Sequence, residues 1–451
     1  MKVKNIYKYL VVSLGALLLG SCTSTEVDSD FDQNATERLS GRQKELNDLL
    51  LSSAEGWKAV YYTDSTQLGG WTHLMKFLPE GKVDMASDFT IGTDTDTKTY
   101  TSQYEIQMGS TVSLVFTTQN RIHLLSDAGN SPTASLLAKG YLGDFQFYYY
   151  GQKDGDILFR TNRNGHFLRF IKATAQDWAD LSKNKATISS LNGDMYSPLF
   201  RIMETNDGAA THKFDFSYNT NARFGTATSL EPGSQEAYDL AFAFTPTGVV
   251  TKLPVIVKGQ KLTNFIYDSA TSNFVATGTN EVSATIKYTN IPPRPTDDYN
   301  ILLPGKVYSR FGYYPDDYTA DASTNSKLFQ AEIDKINANL PDGQYLTSVQ
   351  LYLNHSQGSF IYYTFEGRGS LLHFVDVQED AVNKKIILNH KSWNKDTTAA
   401  TPAFIDGFDK NLMDANGLYV KKENFKLKYS NAVYTFTSSS SPFRMTAWQL
   451  I

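Results

Sequence analysis

Residue types that could carry catalysis are few in this chain and widely spaced. Zinc hydrolases use paired histidines one helical turn apart, and serine hydrolases use a Gly-x-Ser-x-Gly turn; the sequence contains neither pattern. Phosphate-binding glycine loops are also missing from the sequence. No two of the seven histidines lie within five positions of each other: His73, His123, His166, His212, His355, His373 and His390. The sequence therefore predicts no metal site and no cofactor, and it favours a protein that is not an enzyme.

Aromatic residues are the most suggestive feature, with 27 tyrosines and 27 phenylalanines. Residues 312–318 read Gly-Tyr-Tyr-Pro-Asp-Asp-Tyr. A turn at the Pro-Asp step brings Tyr314 close to Asp317, and a short loop rich in Gly, Pro and acids is not expected to bury three rings. A ring beside a carboxylate suits a sugar. We predict that Tyr313, Tyr314, Tyr318 and Asp317 bind a ligand; the alternative is that the rings anchor the loop on neighbouring strands.

The first residues resemble the export signal of a bacterial lipoprotein. Three lysines among the first eight residues precede an apolar stretch from Tyr9 to Gly20, which is shorter than the roughly 20 residues needed to span a bilayer. The stretch ends in Leu-Gly-Ser-Cys, which resembles the lipobox, where the signal is cut before a cysteine that carries the lipid. We predict a signal peptide at 1–21 and lipidation at Cys22. A plain secretory signal with a chance cysteine is the alternative.

A polar, acidic tether is predicted at 22–35. Its acidic residues resemble the surface-export signal of Bacteroidetes lipoproteins, and a solvated linker is the alternative. A multiply acylated cysteine anchors a protein stably. We therefore expect a lipid anchor in the outer membrane and exposure on the cell surface.

Most of the remaining sequence has the pattern of short strands. A leucine stripe predicts a helix from about Thr36 to Ser53, and from Trp57 onward aromatic and β-branched runs alternate with Gly, Asn and Asp turns. This rhythm predicts a mainly β fold of two antiparallel barrel-like or sandwich-like domains, each opened or interrupted by a short helix.

The domain bounds follow from the helices and breaks. We predict a helix plus a β-meander at 36–190 and a C-terminal β-rich domain at 191–451. The second domain contains a Pro-rich break near 291–295 and a helix near 327–339.

A family resemblance covers the N-terminal part of the chain, from Glu37 to about Ile171. The sequence resembles a Bacteroidetes outer-membrane lipoprotein family known only as domain of unknown function 4302. The matching residues are Glu37, Arg38, Leu39, Ala54, Gly56, Trp57, Phe77, Gly81, Val83, Met85, Ser87, Asp88, Leu114, Phe116, Ile122, His123, Ser126, Asp127, Gly143, Asp144 and Phe147. The resemblance implies an accessory lipoprotein of a nutrient-uptake system, beside a TonB-dependent importer and its substrate-binding lipoprotein. It implies no catalytic residue.

Three classes of function follow from these observations. The favoured one is a non-enzymatic binding or assembly role for a glycan or peptide. The alternatives are a secreted hydrolase with unrecognised acid residues, since carboxylate pairs are defined by their separation in space, and an adhesin or surface structural subunit. A net charge of −5 does not give the excess of positive charge that attracts nucleic acid, so nucleic acid is not expected as a partner.

Replacing Cys22 with Ala tests the predicted anchor. The variant cannot be acylated, so we expect it to leave the membrane fraction. Sedimentation of membranes followed by immunoblotting measures this. A Cys22→Ala protein that still sediments with the membrane would contradict the lipobox interpretation.

Overall fold

The computed structural model describes residues 34–89, 96–317 and 319–450. The predicted signal peptide, Cys22 and Tyr318 lie outside the described residues, as does most of the predicted tether. Among the described residues, none of the helices is both long and apolar enough to cross a membrane.

Helix α1 spans Ala35–Leu51 and opens the first barrel. Asn34 caps its N-terminus: the Asn34 side chain accepts a hydrogen bond from the backbone N–H of Glu37 at 2.8 Å. The Glu37 carboxylate in turn accepts the N–H of Asn34, which completes a capping box. Leu46 and Leu50 are fully buried in the core of the first barrel, so the helix is held by packing.

The first barrel is an eight-stranded antiparallel meander. Its strands are β1 (Trp57–Tyr62), β2 (Gly70–Leu78), β3 (Lys82–Ser87), β4 (Tyr100–Met108), β5 (Val112–Phe116), β6 (Gln146–Lys153), β7 (Asp156–Thr161) and β8 (Phe167–Lys172). Strand β1 pairs with both β2 and β8, which closes the ring. Along β1 buried and partly exposed residues alternate, as expected where one face lines a core.

The second barrel follows two short helices, α2 (Ala175–Asp180) and α3 (Asn184–Asn192). Its strands are β9 (Phe200–Asp207), β10 (Thr211–Asn219), β11 (Phe224–Ser229), β12 (Ala237–Thr245), β13 (Gly248–Val257), β14 (Gln260–Asp268), β15 (Asn273–Thr277) and β16 (Val282–Thr289). Pairing of β16 with β9 closes this ring. One parallel bridge, Ala243 to Gly70, joins β12 to β2, so the first two barrels form one continuous sixteen-stranded sheet.

The third barrel is a separate closed ring. Its elements are β17 (Ser309–Tyr313), α4 (Lys327–Ala338), β18 (Tyr345–Leu353), β19 (Ser359–Glu366), β20 (Leu371–Asp380), β21 (Lys385–Trp393), α5 (Asp406–Leu412), β22 (Leu418–Lys422), β23 (Val433–Ser438) and β24 (Arg444–Gln449). Phe329 of α4 and Phe408 of α5 are fully buried members of its core.

The predicted fold class is confirmed: the described chain is mainly β, built of antiparallel barrels with few short helices. The strand pairing selects barrels over sandwiches. The predicted C-terminal domain at 191–451 contains two of these rings, β9 to β16 and β17 to β24, so the structure adds a division within it. The Pro-rich segment at 291–295 lies between the second and third barrels.

A buried ion pair fastens the first barrel to the second. Asp88 lies just after β3, Arg223 lies just before β11, and their side chains are 0% and 6% exposed. The Arg223 Nη1 atom lies 3.0 Å from Asp88 Oδ1, and Nη2 donates to the Asp88 backbone carbonyl at 2.7 Å. Asn184 of α3 donates to the other carboxylate oxygen at 2.9 Å. Both charges are therefore paired and hydrogen-bonded, which their burial requires.

The backbones of the two barrels also approach closely at this point. Gly69 donates its N–H to the Ala222 carbonyl at 2.8 Å. A Cβ atom at Gly69 would lie 2.3 Å from the Phe242 carbonyl oxygen, so only glycine fits there. The junction is thus closed by main chain as well as by the ion pair.

Replacing Arg223 with Met tests the junction. The change leaves the Asp88 carboxylate buried without its partner, so we expect the free energy of unfolding to fall by about 3–5 kcal/mol. Urea unfolding followed by circular dichroism measures it. Lys391→Met is the control, because it removes an ion pair with Asp376 whose side chains are both more than half exposed, and should cost less than about 1 kcal/mol. Equal effects of the two substitutions would show that the buried pair does not hold the junction.

Candidate functional site

A groove follows the line where the outer face of the first barrel meets the β12–β13 hairpin of the second. It consists of two adjoining cavities of about 540 and 800 Å³. The residues lining both cavities show that they are continuous: Lys58, Val60, Tyr62, Ile171 and Lys252. We call this feature the junction groove. Clefts of this size between domains are a common location of ligand sites.

The pleat of two strands directs side chains into the junction groove. On β8 the outward residues are Phe167, Arg169 and Ile171, while Leu168 and Phe170 fill the core. The ladder between β8 and β1 has two registered pairs, Trp57 with Lys172 and Lys58 with Ile171. The groove therefore lies over the seam at which the first barrel closes.

The exposed ring of Phe167 lines the junction groove, and the exposed ring of Tyr150 packs against it. Phe167 is 59% exposed and Tyr150 is 54% exposed, and their ring centroids are 5.4 Å apart in a T-shaped arrangement. The Arg160 guanidinium lies 4.6 Å from the Phe167 centroid and 4.8 Å from that of Tyr150. This cation–π contact fixes the positions of both rings. Tyrosine and arginine are among the residue types enriched at binding hot spots.

Strand alternation places Tyr150 on the outer face of β6. Phe147 and Tyr149 are buried in the core, at 0% and 2% exposure, so the residues between and after them point outward. The register between β6 and β7 shifts just beyond this point, between Tyr149 and Gly151.

Charged groups line the rim of the junction groove. Lys58 Nζ lies 2.7 Å from an Asp177 carboxylate oxygen. Partial burial raises the pKa of Asp177, but hydrogen bonds from Lys58 and Thr174 outweigh it and leave the pKa below its ordinary value. A hydrogen bond from Lys183 likewise lowers the pKa of Asp180. Burial raises the pKa of the Tyr62 phenol, so that ring stays neutral.

These charge states decide what the groove can do chemically. Asp177 and Asp180 are the two carboxylates among its lining residues. A glycosidase needs one carboxyl group with a raised pKa to act as general acid. Both of these carboxyls have lowered pKa values, so the pair suits fixed negative charge and does not suit proton donation.

The loop predicted to bind ligand has a different structure from the one expected. Tyr313 ends β17 with its side chain fully buried, and its ring packs edge-on against Phe329 of α4 at 4.7 Å between centroids. The expectation that this ring is exposed is wrong, because β17 turns Phe311 and Tyr313 toward the core.

The remaining residues of that predicted site lie nearer the surface. Tyr314 and Asp317 are both half-buried. The predicted turn is present, since the Asp317 N–H donates to the Tyr314 carbonyl at 3.2 Å. Tyr318 lies outside the described residues. A ligand-binding role for Tyr314, Tyr318 and Asp317 stays a prediction, and the three rings do not share one exposed face, since Tyr313 is in the core.

The fold and the groove define a class of protein: a protein of antiparallel β-barrels with an open cleft between two joined barrels. The chain belongs to the family described as domain of unknown function (DUF4302), which matches residues 27–269. This match spans the first barrel and most of the second, and it includes the junction groove.

Comparisons with individual proteins add little. The search of curated proteins found no match. Among solved structures, the chain is similar to the DNA polymerase sliding clamp from Bacillus subtilis at 8% identity, with 92% of this chain and 96% of that chain covered and a TM-score of 0.17. A score that low supports no structural argument.

Replacing Tyr313 with Ala tests the corrected role of this ring. Because the ring fills the core against Phe329, we expect the free energy of unfolding to fall by about 3–5 kcal/mol. Tyr150→Ala, at an exposed tyrosine, should cost less than about 1 kcal/mol. Thermal and urea unfolding measure both. If Tyr313→Ala were as stable as Tyr150→Ala, the ring would not be part of the core.

Proposed function

We propose that this protein is a lipid-anchored accessory lipoprotein of an outer-membrane nutrient-uptake system, and that it binds a glycan or peptide without processing it. The observation that carries the proposal is the junction groove, with the exposed ring of Phe167 in its lining and the exposed ring of Tyr150 packed against that ring. Aromatic and arginine side chains are enriched among the residues that contribute most to binding energy.

The chemistry of the groove supports binding over hydrolysis. Phe167 and Tyr150 present apolar ring surface, which suits the face of a sugar or an apolar side chain. Lys58, Asp177 and Lys252 line the groove with charges that can pair with polar groups of a ligand. The lowered pKa values of the lining carboxyls disfavour the hydrolase alternative at this site.

The cellular location and the partners are proposed from two sources, the first 35 residues and the family resemblance. The first residues support a lipid anchor at Cys22 and exposure on the cell surface. The resemblance supports a TonB-dependent importer and its substrate-binding lipoprotein as partners. Recovery of an importer with the full chain from native membranes would support this setting, whereas a ladder of self-polymer would support the adhesin alternative. In the described part of the chain every strand belongs to a closed ring, which leaves no complete sheet edge for strand donation.

Removing the two exposed rings tests the binding proposal. The purified protein is screened against glycan and peptide arrays, and the strongest ligand is titrated by calorimetry. We expect the double variant Phe167→Ala, Tyr150→Ala to lose about 2 kcal/mol or more per ring at unchanged melting temperature. Tyr345→Ala is the matched control, since that tyrosine of the third barrel is 40% exposed and far along the chain from the groove.

The array also separates the alternatives. Glycan binding and peptide binding are read directly from the ligand that is titrated. Undiminished binding by the double variant would show that the groove is not the site. Cleavage of any glycan or peptide by the purified protein would contradict a non-enzymatic role.

A further inference from the structure

Positive charges outnumber negative ones in the lining of the junction groove. The charged lining residues are Lys58, Lys252, Arg169, Asp177 and Asp180. Both carboxylates line the smaller cavity, and none of the described residues that line the larger one is Asp or Glu. The larger cavity is therefore lined by cations, although the chain as a whole carries a net charge of −5.

Two of the three cations are neutralised by ion pairs. Lys58 Nζ lies 2.7 Å from an Asp177 carboxylate oxygen, and Arg169 pairs with Asp156. Lys252 is exposed, and no carboxylate among the described residues pairs with it. It is therefore the cation of the lining that is left to meet a charge on a ligand.

Lys252 reaches across the boundary between the two barrels. The five steps from Val250 to Val255 on β13 are matched by only two steps on β14, so the strand bulges at this point. Lys252 Nζ lies 5.3 Å from the centroid of the Tyr62 ring on β1. The ring attracts the ammonium without using its hydrogen-bond donors, which stay available for a ligand.

A second cation without a carboxylate partner stands beside the groove. The Arg160 guanidinium contacts the rings of Phe167 and Tyr150, and Arg160 forms no ion pair within the described part of the chain. Its buried Nε atom has no hydrogen-bond partner there either. Phe167 and Lys252 both line the larger cavity, so the two cations lie in or directly beside the same space.

We propose that the junction groove binds an acidic glycan, that is, an oligosaccharide whose sugars carry carboxylates. This inference rests on the proposed function and names the class of its ligand. Lys252 and Arg160 pair with the carboxylates through charge-assisted hydrogen bonds. The exposed ring of Phe167 packs against the apolar face of a sugar.

The fixed carboxylates of the smaller cavity favour a glycan over an acidic peptide. Asp177 and Asp180 are ionised, and a carboxylate only accepts hydrogen bonds. Sugar hydroxyls donate to such oxygens, whereas acidic side chains of a peptide would be repelled by them. A ligand that carries both hydroxyls and carboxylates therefore suits the two cavities together.

Calorimetric titration of the purified full chain with uronate oligosaccharides tests the inference. The panel contains oligomers of galacturonate, glucuronate, mannuronate and guluronate, each beside its neutral, carboxyl-reduced counterpart. We expect saturable binding of at least one acidic oligomer, and binding at least about tenfold weaker for its neutral counterpart. Added salt should weaken the binding of the acidic oligomer, because it screens exposed charges.

Variants at Lys252 assign the effect to the groove. Lys252→Met should weaken binding of the acidic oligomer at least about tenfold, and Lys252→Arg, which keeps the charge, should retain it. Lys258→Met is the matched control, since Lys258 is an exposed lysine just after β13 that lines neither cavity. Lys252 is exposed, so its variants are expected to fold, and their melting curves check this.

The outcomes separate this inference from the proposed function. Binding of a neutral glycan, or of an acidic peptide such as polyglutamate, that is lost in Phe167→Ala would overturn the acidic glycan and leave a binding groove in place. Equal binding of the acidic oligomer by Lys252→Met and the parent would also overturn it. Binding of no glycan and no peptide would contradict both proposals.

Discussion

The buried ion pair between Asp88 and Arg223 is the interaction on which the shape of the candidate site depends. A carboxylate and a guanidinium withdrawn from water are stable only when their hydrogen-bonding positions are filled, and backbone groups of the first barrel and the Asn184 side chain fill them. Few relative placements of the two barrels satisfy these bonds. The junction groove is the space that remains between the barrels once this placement is fixed, so its walls come from different parts of the chain.

Local structure could largely be predicted from the sequence, because it depends on patterns a few residues long. The helix predicted from about Thr36 to Ser53 spans Ala35–Leu51, and the one predicted near 327–339 spans Lys327–Ala338. Ring closure could not be predicted. It depends on pairings such as β1 with β8, which join residues far apart in sequence and leave no local pattern.

The candidate site was harder to predict for the same reason. Phe167–Ile171 has apolar residues on both faces of the strand, so the pattern alone does not show that Phe167 and Ile171 face outward. Tyr150 is exposed because it follows the buried Tyr149 in β6, and Tyr313 is buried because β17 turns it to the core together with Phe311. Each outcome is decided by which face of a strand meets the core and not by residue type. The junction groove consequently does not include the loop that composition favoured.

Photo-crosslinking in native membranes tests the central claim, that the junction groove is where this protein meets its ligand or partner. A photoreactive amino acid replaces Ile171, which is 40% exposed in the groove, or Val382, which is 91% exposed in the third barrel. The account predicts a ligand- or partner-dependent adduct from position 171 and none from position 382. Adducts from position 382 with none from position 171 would contradict it.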